Sequence, residues 1–354
     1  MRFELDDDQR AIQETARDFL ASRYPAEEVR RLALEDERGF TDAQWTAIAE
    51  LGWPALVVAE DDGGLGLGVV ELAVLFEQLG HALAPTPLLS TVAAALVIGA
   101  AGDDAQRAKW LPALAEGERR GTVVPIPPAD GLEADGDQLT GTFEAVPDAG
   151  AADLLVVPTG HERLSVVDLH GEGVTVQPAE ALDPTRKLST VRLERAPAVA
   201  LGAPDGPARA RARDVIAVAV AAESVGVAQR AMEFAVEHAR ERHQFGRPIG
   251  VFQAVSHACA QMLLEVEGAR SAVLYAAWAL DHAPDEARLA AAMAKSYASD
   301  AGWRVPASAL QVLGGIGFTW EHDLHFWLKR GRANAAAWGD PRSQRARVAD
   351  LLGL

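Results

Sequence analysis

The stretch that decides the fold is Glu237-His238-Ala239-Arg240-Glu241-Arg242-His243-Gln244-Phe245-Gly246-Arg247-Pro248-Ile249, followed by Phe252 and Gln253. A long apolar helix is predicted to reach this stretch, become basic and end at the Phe-Gly-Arg-Pro break. An arginine fork and exposed amides at a helix end suit phosphate oxygens. The helix dipole alone also favours a cation at this end, so Arg242 taken by itself is equally consistent with an ordinary surface residue.

A second motif is the glycine-rich turn Gln311-Val312-Leu313-Gly314-Gly315-Ile316-Gly317-Phe318, which follows another predicted helix. Gly314 and Gly315 carry no side chain, so a ligand could approach the backbone closely there. The alternative is a simple helix stop. Each motif alone is weak evidence. The two motifs are informative together, because they occur in this order and each follows a long predicted helix.

Length and composition limit the classes of protein to which the chain can belong. The chain has 354 residues, is 49% hydrophobic and carries a formal net charge of -18. This length supports two or three packed units, and the charge argues against nucleic acid or anionic membrane as the main partner. Cys259 is the single cysteine, which excludes an intrachain disulfide. The N-terminal residues form no apolar signal core, and no uninterrupted apolar run long enough to cross a bilayer is found. We therefore expect a soluble, cytoplasmic protein without membrane insertion.

The chain divides into three segments that differ in their predicted secondary structure. Residues 1–120 have helical periodicity, with Asp6 and Thr41 predicted to begin two of the helices. Residues 121–203 contain short β-rich runs separated by Gly, Pro and Asp, typical of a small antiparallel sheet or barrel. Residues 204–354 are strongly helical. The runs that predict strands are Thr122–Ile126, Leu154–Val157, Leu164–Val167 and Thr190–Leu193.

The two motifs in this layout resemble the acyl-CoA dehydrogenase family over nearly the whole chain. The resemblance implies a mainly α fold with an N-terminal helical domain, a middle β-barrel-like domain and a C-terminal four-helix bundle. It also implies FAD at a dimer interface, with one subunit gripping the adenosine diphosphate half bound by its neighbour. By this resemblance Arg242 would pair with the pyrophosphate, and Gln244 and Phe245 would line the adenosine path. The neighbour's nucleotide would approach the backbone at Gln311, Gly314 and Gly315.

Two further runs point to one branch of that family. Gly317-Phe318-Thr319-Trp320-Glu321-His322-Asp323-Leu324-His325 and the run from Leu79 to Leu88 are similar to a branch common in bacterial steroid and side-chain catabolism. Several members of this branch are heteromers of two related subunits. The His, Asp and Glu residues also allow metal binding or plain surface polarity as interpretations. Metal is the weaker one, because no further ligand set is evident in the sequence.

Two features that carry the family's redox chemistry are missing. A Thr-Glu-Pro, Gly-Ser segment and a Trp-Ile-Thr or Trp-Ile-Ser segment normally bind and cover the flavin ring. The corresponding stretches here, Val124–Gly131 and Phe143–Gly150, lack those hydroxyl donors, contain prolines and offer no tryptophan.

The second missing feature is the catalytic base, a carboxylate beside the substrate with a pKa raised by burial. The family's usual glutamate precedes a glycine about two dozen residues after the Gly-Gly pair, and Trp338 stands there. The alternative position, on the long helix before the basic stretch, holds Ile216. Asp214, Glu223 and Asp340 lie near these positions, so a shift in register could supply a base. For Glu223, a buried ion pair is an equal explanation.

Three hypotheses about function follow. In the first, the chain is the subunit without a base in a heteromeric FAD-dependent acyl-CoA dehydrogenase. In the second, it is a self-sufficient dehydrogenase with a relocated carboxylate, and in the third a non-enzymatic assembly protein that reuses the fold. We expect the first. The implied partners are a related subunit or a second copy in a tetramer, an acyl-CoA substrate and an electron-transfer flavoprotein.

Overall fold

The computed structural model describes residues 4–124, 131–159, 163–202 and 206–354. Within it the chain forms two compact units. One unit contains Met1–Arg30, Val69–Ala84 and Ala217–Leu354, and the other contains Arg31–Gly68 and Pro85–Ile216. The three ranges predicted from the sequence describe changes in predicted secondary structure along the chain, and as domain boundaries they stay a prediction.

The N-terminal segment is helical, as predicted. Asp6 and Thr41 each cap a helix, and each exchanges hydrogen bonds with a glutamine three residues later. Such capping boxes satisfy amide groups that the first helical turn leaves unpaired. Asp103 repeats the arrangement. The helices are α1 (Asp7–Arg23), α2 (Ala26–Glu35), α3 (Asp42–Glu50), α4 (Val69–Ala82), α5 (Leu88–Ala101) and α6 (Asp104–Ala115), with a 3-10 turn at Glu60–Asp62.

The central segment forms a sheet over an apolar core that includes Phe143, Leu155 and Val191. The strands are β1 (Gly121–Val123), β2 (Glu133–Asp135), β3 (Gln138–Pro147), β4 (Leu154–Pro158), β5 (Leu164–Asp168), β6 (Val174–Ala179) and β7 (Leu188–Ala200). Their order is β1-β4-β5-β7-β3-β2, and β6 pairs with β7. The four predicted runs each contain or overlap a strand.

The expectation of a purely antiparallel sheet is wrong at one edge. β1 runs parallel to β4, whereas the other pairs of this sheet are antiparallel. A parallel neighbour requires a long crossover rather than a tight turn. Here the chain supplies that crossover by passing through β2 and β3 before it returns as β4.

The C-terminal segment consists of long helices. They are α7 (Gly206–Glu241), α8 (Gln253–His282), α9 (Pro284–Leu313), α10 (Leu324–Ala336) and α11 (Pro341–Leu352), with 3-10 turns at Ile249–Val251 and Gly314–Phe318. α7 is long and apolar enough to span a membrane by length and composition, contrary to the expectation from the sequence. The most apolar part of this helix is 89% buried inside the protein, as is typical of a core helix.

Two glycines let α7 cross α4 with backbone against backbone. A Cβ atom built on Gly226 would lie 1.9 Å from the carbonyl oxygen of Glu77, and one on Gly80 would lie 2.0 Å from that of Glu223. No side chain fits at either distance. The two glycines therefore set how closely the helices approach.

α8 and α9 form an antiparallel hairpin that connects at Ala283. Arg304 pairs with Glu265 at 3.4 Å, and a Cβ on Gly268 would lie 3.0 Å from the Tyr297 hydroxyl oxygen. These contacts join residues whose numbers run in opposite directions along the two helices. The beginning of α8 and the end of α9 consequently lie at the same end of the hairpin.

Candidate functional site

The basic stretch forms a sharp turn at the end of α7. The amide of Arg242 still donates to the carbonyl of His238 at 2.8 Å, which makes it the last residue bonded into the helix. The next residues form a tight hairpin of β8 (His243–Gln244) and β9 (Arg247–Pro248). Phe245 and Gly246 connect the two strands, with φ of 53° and 78°. Two positive φ angles are typical of a type I′ turn, in which glycine is favoured and phenylalanine is strained.

Phe245 is held in that strained position with its ring in the open. Its side chain is 88% exposed, and its ring meets that of Phe252 edge to face at a centroid distance of 6.0 Å. Arg247 lies over the other ring, 5.1 Å from its centroid. Strained residues that expose a large apolar surface concentrate at sites of recognition. The turn therefore presents an apolar surface that a ligand or another protein could cover.

The glycine-rich turn at the end of α9 is open on its outer side. Gly314 has φ 63° and ψ -135°, a conformation that residues with a Cβ rarely adopt. A Cβ built on Gly314 or Gly315 would meet nothing within 4 Å. Gln311 is exposed in the last turn of α9, and among the described residues its amide has no hydrogen-bond partner. Backbone and amide are thus free to meet a ligand.

The helix hairpin brings the two predicted groups to the same end. The turn with Arg242, Gln244 and Phe245 directly precedes α8, and Gln311, Gly314 and Gly315 end α9. Arg242 is exposed, and no carboxylate of the described chain lies within salt-bridge distance of it. An exposed guanidinium and an open glycine backbone at the same end of the hairpin are each suited to an anion with several oxygens, such as a diphosphate.

The described parts of the two stretches expected to bind a flavin ring direct their polar contacts inward. Residues 125–130, most of the first stretch, lie outside the described residues. In the second stretch, Phe143 and Val146 are buried in the sheet core. Two nearby hydroxyls are already used, because Ser90 donates to the carboxylate of Asp148 and Thr122 donates to the carbonyl of Pro147. Hydrogen bonding here is directed into the protein.

Trp338 stands where the family's usual base is expected, on the loop between α10 and α11. It has φ 55°, a conformation that is strained for a tryptophan, and Gly339 follows with φ 99°. Asp340, the neighbouring carboxylate, caps α11 by accepting from the amide of Ser343 at 2.6 Å. That hydrogen bond lowers the pKa of Asp340. A base for an α proton needs the opposite shift, so Asp340 is unsuited to that role.

Lys295 anchors this loop through hydrogen bonds. Its side chain is fully buried, and Nζ donates to the carbonyl oxygens of Asn334 at 3.0 Å and Gly339 at 3.1 Å and to Ser299 Oγ at 2.8 Å. Burial lowers the pKa of Lys295 to about 7. The side-chain amide of Gln344 donates a hydrogen bond from Nε2 to the carbonyl oxygen of Trp338 at 3.2 Å. The loop is therefore anchored on both sides of the strained tryptophan.

The remaining carboxylates near the expected positions are buried beside arginines. Glu223 accepts from Arg330 Nη1 at 2.6 Å, and both side chains are almost fully buried. This is the ion pair that the sequence allowed as one explanation. Asp214 is fully buried, with Arg213 Nε at 3.9 Å. Each of these two carboxylates therefore has a guanidinium as a neighbour.

Sequence reasoning missed Lys295 and Arg330. Each is a cation at a position that helical periodicity assigns to the buried face of its helix. A buried position for such a residue is a signal that a partner exists. The identity of that partner, a loop carbonyl or a distant glutamate, depends on tertiary contacts.

Comparisons with known proteins agree with this geometry. The model of the acyl-CoA dehydrogenase N-terminal domain matches residues 6–118, and that of the C-terminal domain matches residues 214–353. Acyl-CoA dehydrogenase IpdE2 of Mycolicibacterium smegmatis is 35% identical over 330 residues, which cover 93% of this chain and 94% of the relative.

Solved structures show the same fold. The chain is similar to the Tcur3481-Tcur3483 steroid ACAD, with a TM-score of 0.88 and 31% identity over 98% of each chain. It is also similar to the ChsE4-ChsE5 complex from Mycobacterium tuberculosis, with a TM-score of 0.90 and 26% identity over 100% of this chain and 99% of the other.

Proposed function

Because the chain belongs to the acyl-CoA dehydrogenase family of flavin-dependent oxidoreductases, we propose that it is the subunit without a catalytic base in a heteromeric enzyme. The reaction of the complex is the α,β-dehydrogenation of an acyl-CoA thioester. One contrast carries the proposal. Arg242 and Gln311 are exposed and the backbone at Gly314 and Gly315 is open, whereas Trp338 stands on an anchored loop where the family resemblance places the base. We call Arg242, Gln311, Gly314 and Gly315 the nucleotide grip.

The grip fits the diphosphate half of FAD. Arg242 would donate to the phosphate oxygens as a fork, and Gln311 would add an amide donor beside them. The open glycine backbone would let the nucleotide lie close to the end of α9. When bound, FAD supplies a two-electron acceptor for the hydride that leaves the β carbon of the substrate. In this chain the role of these residues is to hold and orient.

The proposed partner is a related subunit that supplies the flavin-ring pocket and the base. Its carboxylate would remove the α proton of the thioester, and an electron-transfer flavoprotein would receive the electrons. Large exposed apolar side chains near the grip support a covered surface, since Phe245 is 88% and Phe318 is 72% exposed. Two similar structures are named for pairs of proteins, Tcur3481-Tcur3483 and ChsE4-ChsE5. We propose a tetramer for the complete complex.

One of these similar structures also supports a proposal about the substrate class. One similar structure is named a steroid ACAD, and we propose a sterol-derived acyl-CoA as the substrate of the complex. We also propose a cytoplasmic location, which agrees with the burial of the apolar part of α7.

The flavin content of the purified complex tests the grip. We expect Arg242→Ala and Gln311→Ala to weaken flavin retention, with the arginine change costing about tenfold or more in affinity, as for a lost charge-assisted hydrogen bond. Arg240→Ala is the matched control, because Arg240 is exposed in the last turn of α7 and the family resemblance assigns it no contact with the nucleotide. Normal flavin content in both test variants would refute the assignment.

A further inference from the structure

A cavity lies within the unit that holds the grip, and the proposed function does not use it. It has a volume of about 400 Å³ and is formed by the last turns of α1 and α4, the middle of α7 and the segment before α10. Leu20, Phe234 and Trp327 supply its apolar wall. A cavity of this size is in the range of small-molecule sites.

One buried polar side chain lines this cavity without a hydrogen-bond partner. Tyr24 is 3% exposed, and its hydroxyl has no partner among the described residues. A buried polar group without a partner costs about 1–3 kcal/mol. Gln78, which is 7% exposed, adds a carboxamide to the same lining. A ligand in the cavity that accepts a hydrogen bond would remove the cost at Tyr24.

The charged residues around the cavity leave one cation available. Arg230 already donates to Glu233 and Glu237 and lies over the ring of Phe234. Asp323 is neutralised by Arg30 at 2.7 Å. Arg17 also lines the cavity, and no carboxylate within the described ranges pairs with it. Glu321 is the opposing charge, and it is exposed.

The neutral groups at the cavity are mainly donors. Burial raises the pKa of Tyr24, so its hydroxyl keeps its proton. His322 Nδ1 accepts the amide of Leu324 at 3.0 Å, and burial lowers the pKa of this histidine. The ring is therefore neutral near pH 7 with its proton on Nε2. A phenol, an imidazole N–H, a carboxamide and a free guanidinium together suit a ligand whose polar end only accepts.

We propose that this cavity binds a small carboxylic acid with an apolar ring or chain. The carboxylate accepts from Arg17, Tyr24 and Gln78, and the apolar body packs on Phe234 and Trp327. This inference goes beyond the proposed function and does not depend on it, because it concerns other residues and needs neither flavin nor a partner subunit.

Calorimetric titration of the full chain with benzoate and cyclohexanecarboxylate tests the proposal. We expect saturable binding of at least one acid, and weaker binding of benzamide, which lacks the charge. Arg17→Gln and Tyr24→Phe should each raise the Kd about tenfold, as for the loss of one hydrogen bond to a charged group. Arg23→Gln on the same helix is the matched control, since Arg23 is exposed and does not line the cavity.

A blocking variant makes the test independent of the buried side chains. Ala26 is exposed and lines the cavity, so Ala26→Trp should close it without disturbing the core and should abolish binding. Quenching of tryptophan fluorescence, with Trp327 in the wall, gives a second readout. Absence of saturable binding by both acids would overturn the proposal. So would equal affinity in the wild type, Tyr24→Phe and Ala26→Trp.

Discussion

Two charged side chains, Glu223 and Lys295, are fully enclosed by alanine-rich helices and are satisfied in different ways. Glu223 meets a guanidinium 107 positions further along the chain. Lys295 meets a hydroxyl and two carbonyls. A charge in such a place is tolerated only when its partners are in position. The burial of each of these two side chains therefore depends on tertiary contacts that bring its partners into position.

The Glu223–Arg330 pair should behave as a buried ion pair in a double-mutant cycle. We expect Glu223→Leu or Arg330→Met alone to cost about 3–5 kcal/mol in the free energy of unfolding, because each leaves an unpaired buried charge. The double variant should lose clearly less than the sum. Urea unfolding measures all three. The exposed pair Arg192–Glu194 is the control and should contribute less than about 1 kcal/mol. Additive losses at Glu223 and Arg330 would contradict the ion-pair interpretation.

Lys295 should make stability depend on pH. Its pKa falls from 10.5 to about 7 on folding, because burial disfavours the charged form. Between these two values the unfolded chain keeps a proton that the folded chain has released. Stability therefore rises with pH in this window, by up to about 1.4 kcal/mol per pH unit.

The measurement compares wild type with Lys295→Met by urea unfolding at pH 7 and pH 9. Other groups that titrate in this range are shared by both proteins, so their contributions cancel in the difference. We expect the wild type to gain about 2 kcal/mol over the variant between the two pH values. Parallel pH profiles would show that Lys295 stays charged in the folded protein.

At the scale of elements, the sequence predicts helices better than strands. Asp6 and Thr41 mark helix starts through local hydrogen bonds, which act over three residues and can be identified from spacing alone. β3 was missed because its pairing with β7 shifts register twice, between Leu139 and Gly141 and between Phe143 and Val146. Each shift interrupts the alternation of buried and exposed residues on which strand prediction depends.

The crossing of α4 and α7 gives a prediction at the same scale. Gly226→Ala should cost about 1–3 kcal/mol, because its Cβ would overlap the backbone of Glu77 and the helices must move apart. Gly99→Ala is the control, since a Cβ there meets only Leu111 at an ordinary 3.8 Å. We expect the control to gain up to about 1 kcal/mol from helix propensity. Thermal unfolding of both variants is the measurement, and equal shifts would contradict the close crossing.

At the scale of the whole molecule, the candidate site was only partly predictable. The motifs at Arg242 and Gly314 could be identified because helix ends and glycine turns leave local sequence signals. Their placement at one end of a hairpin follows from the packing of α8 on α9. The anchoring of the Trp338 loop by Lys295, 43 positions earlier in the chain, leaves no local signal. Neither does the cavity lined by Tyr24 and Gln78.

The visible absorption spectrum tests the central claim most directly. It is recorded on the chain purified alone and on the chain co-expressed with a related dehydrogenase subunit encoded nearby. We predict a colourless isolated protein and a yellow complex that holds fewer flavins than subunits. A yellow isolated protein that is bleached by an acyl-CoA would contradict the account. It would show that this chain holds its own flavin and its own base, with Glu223, Asp214 and Asp340 as the first residues to test.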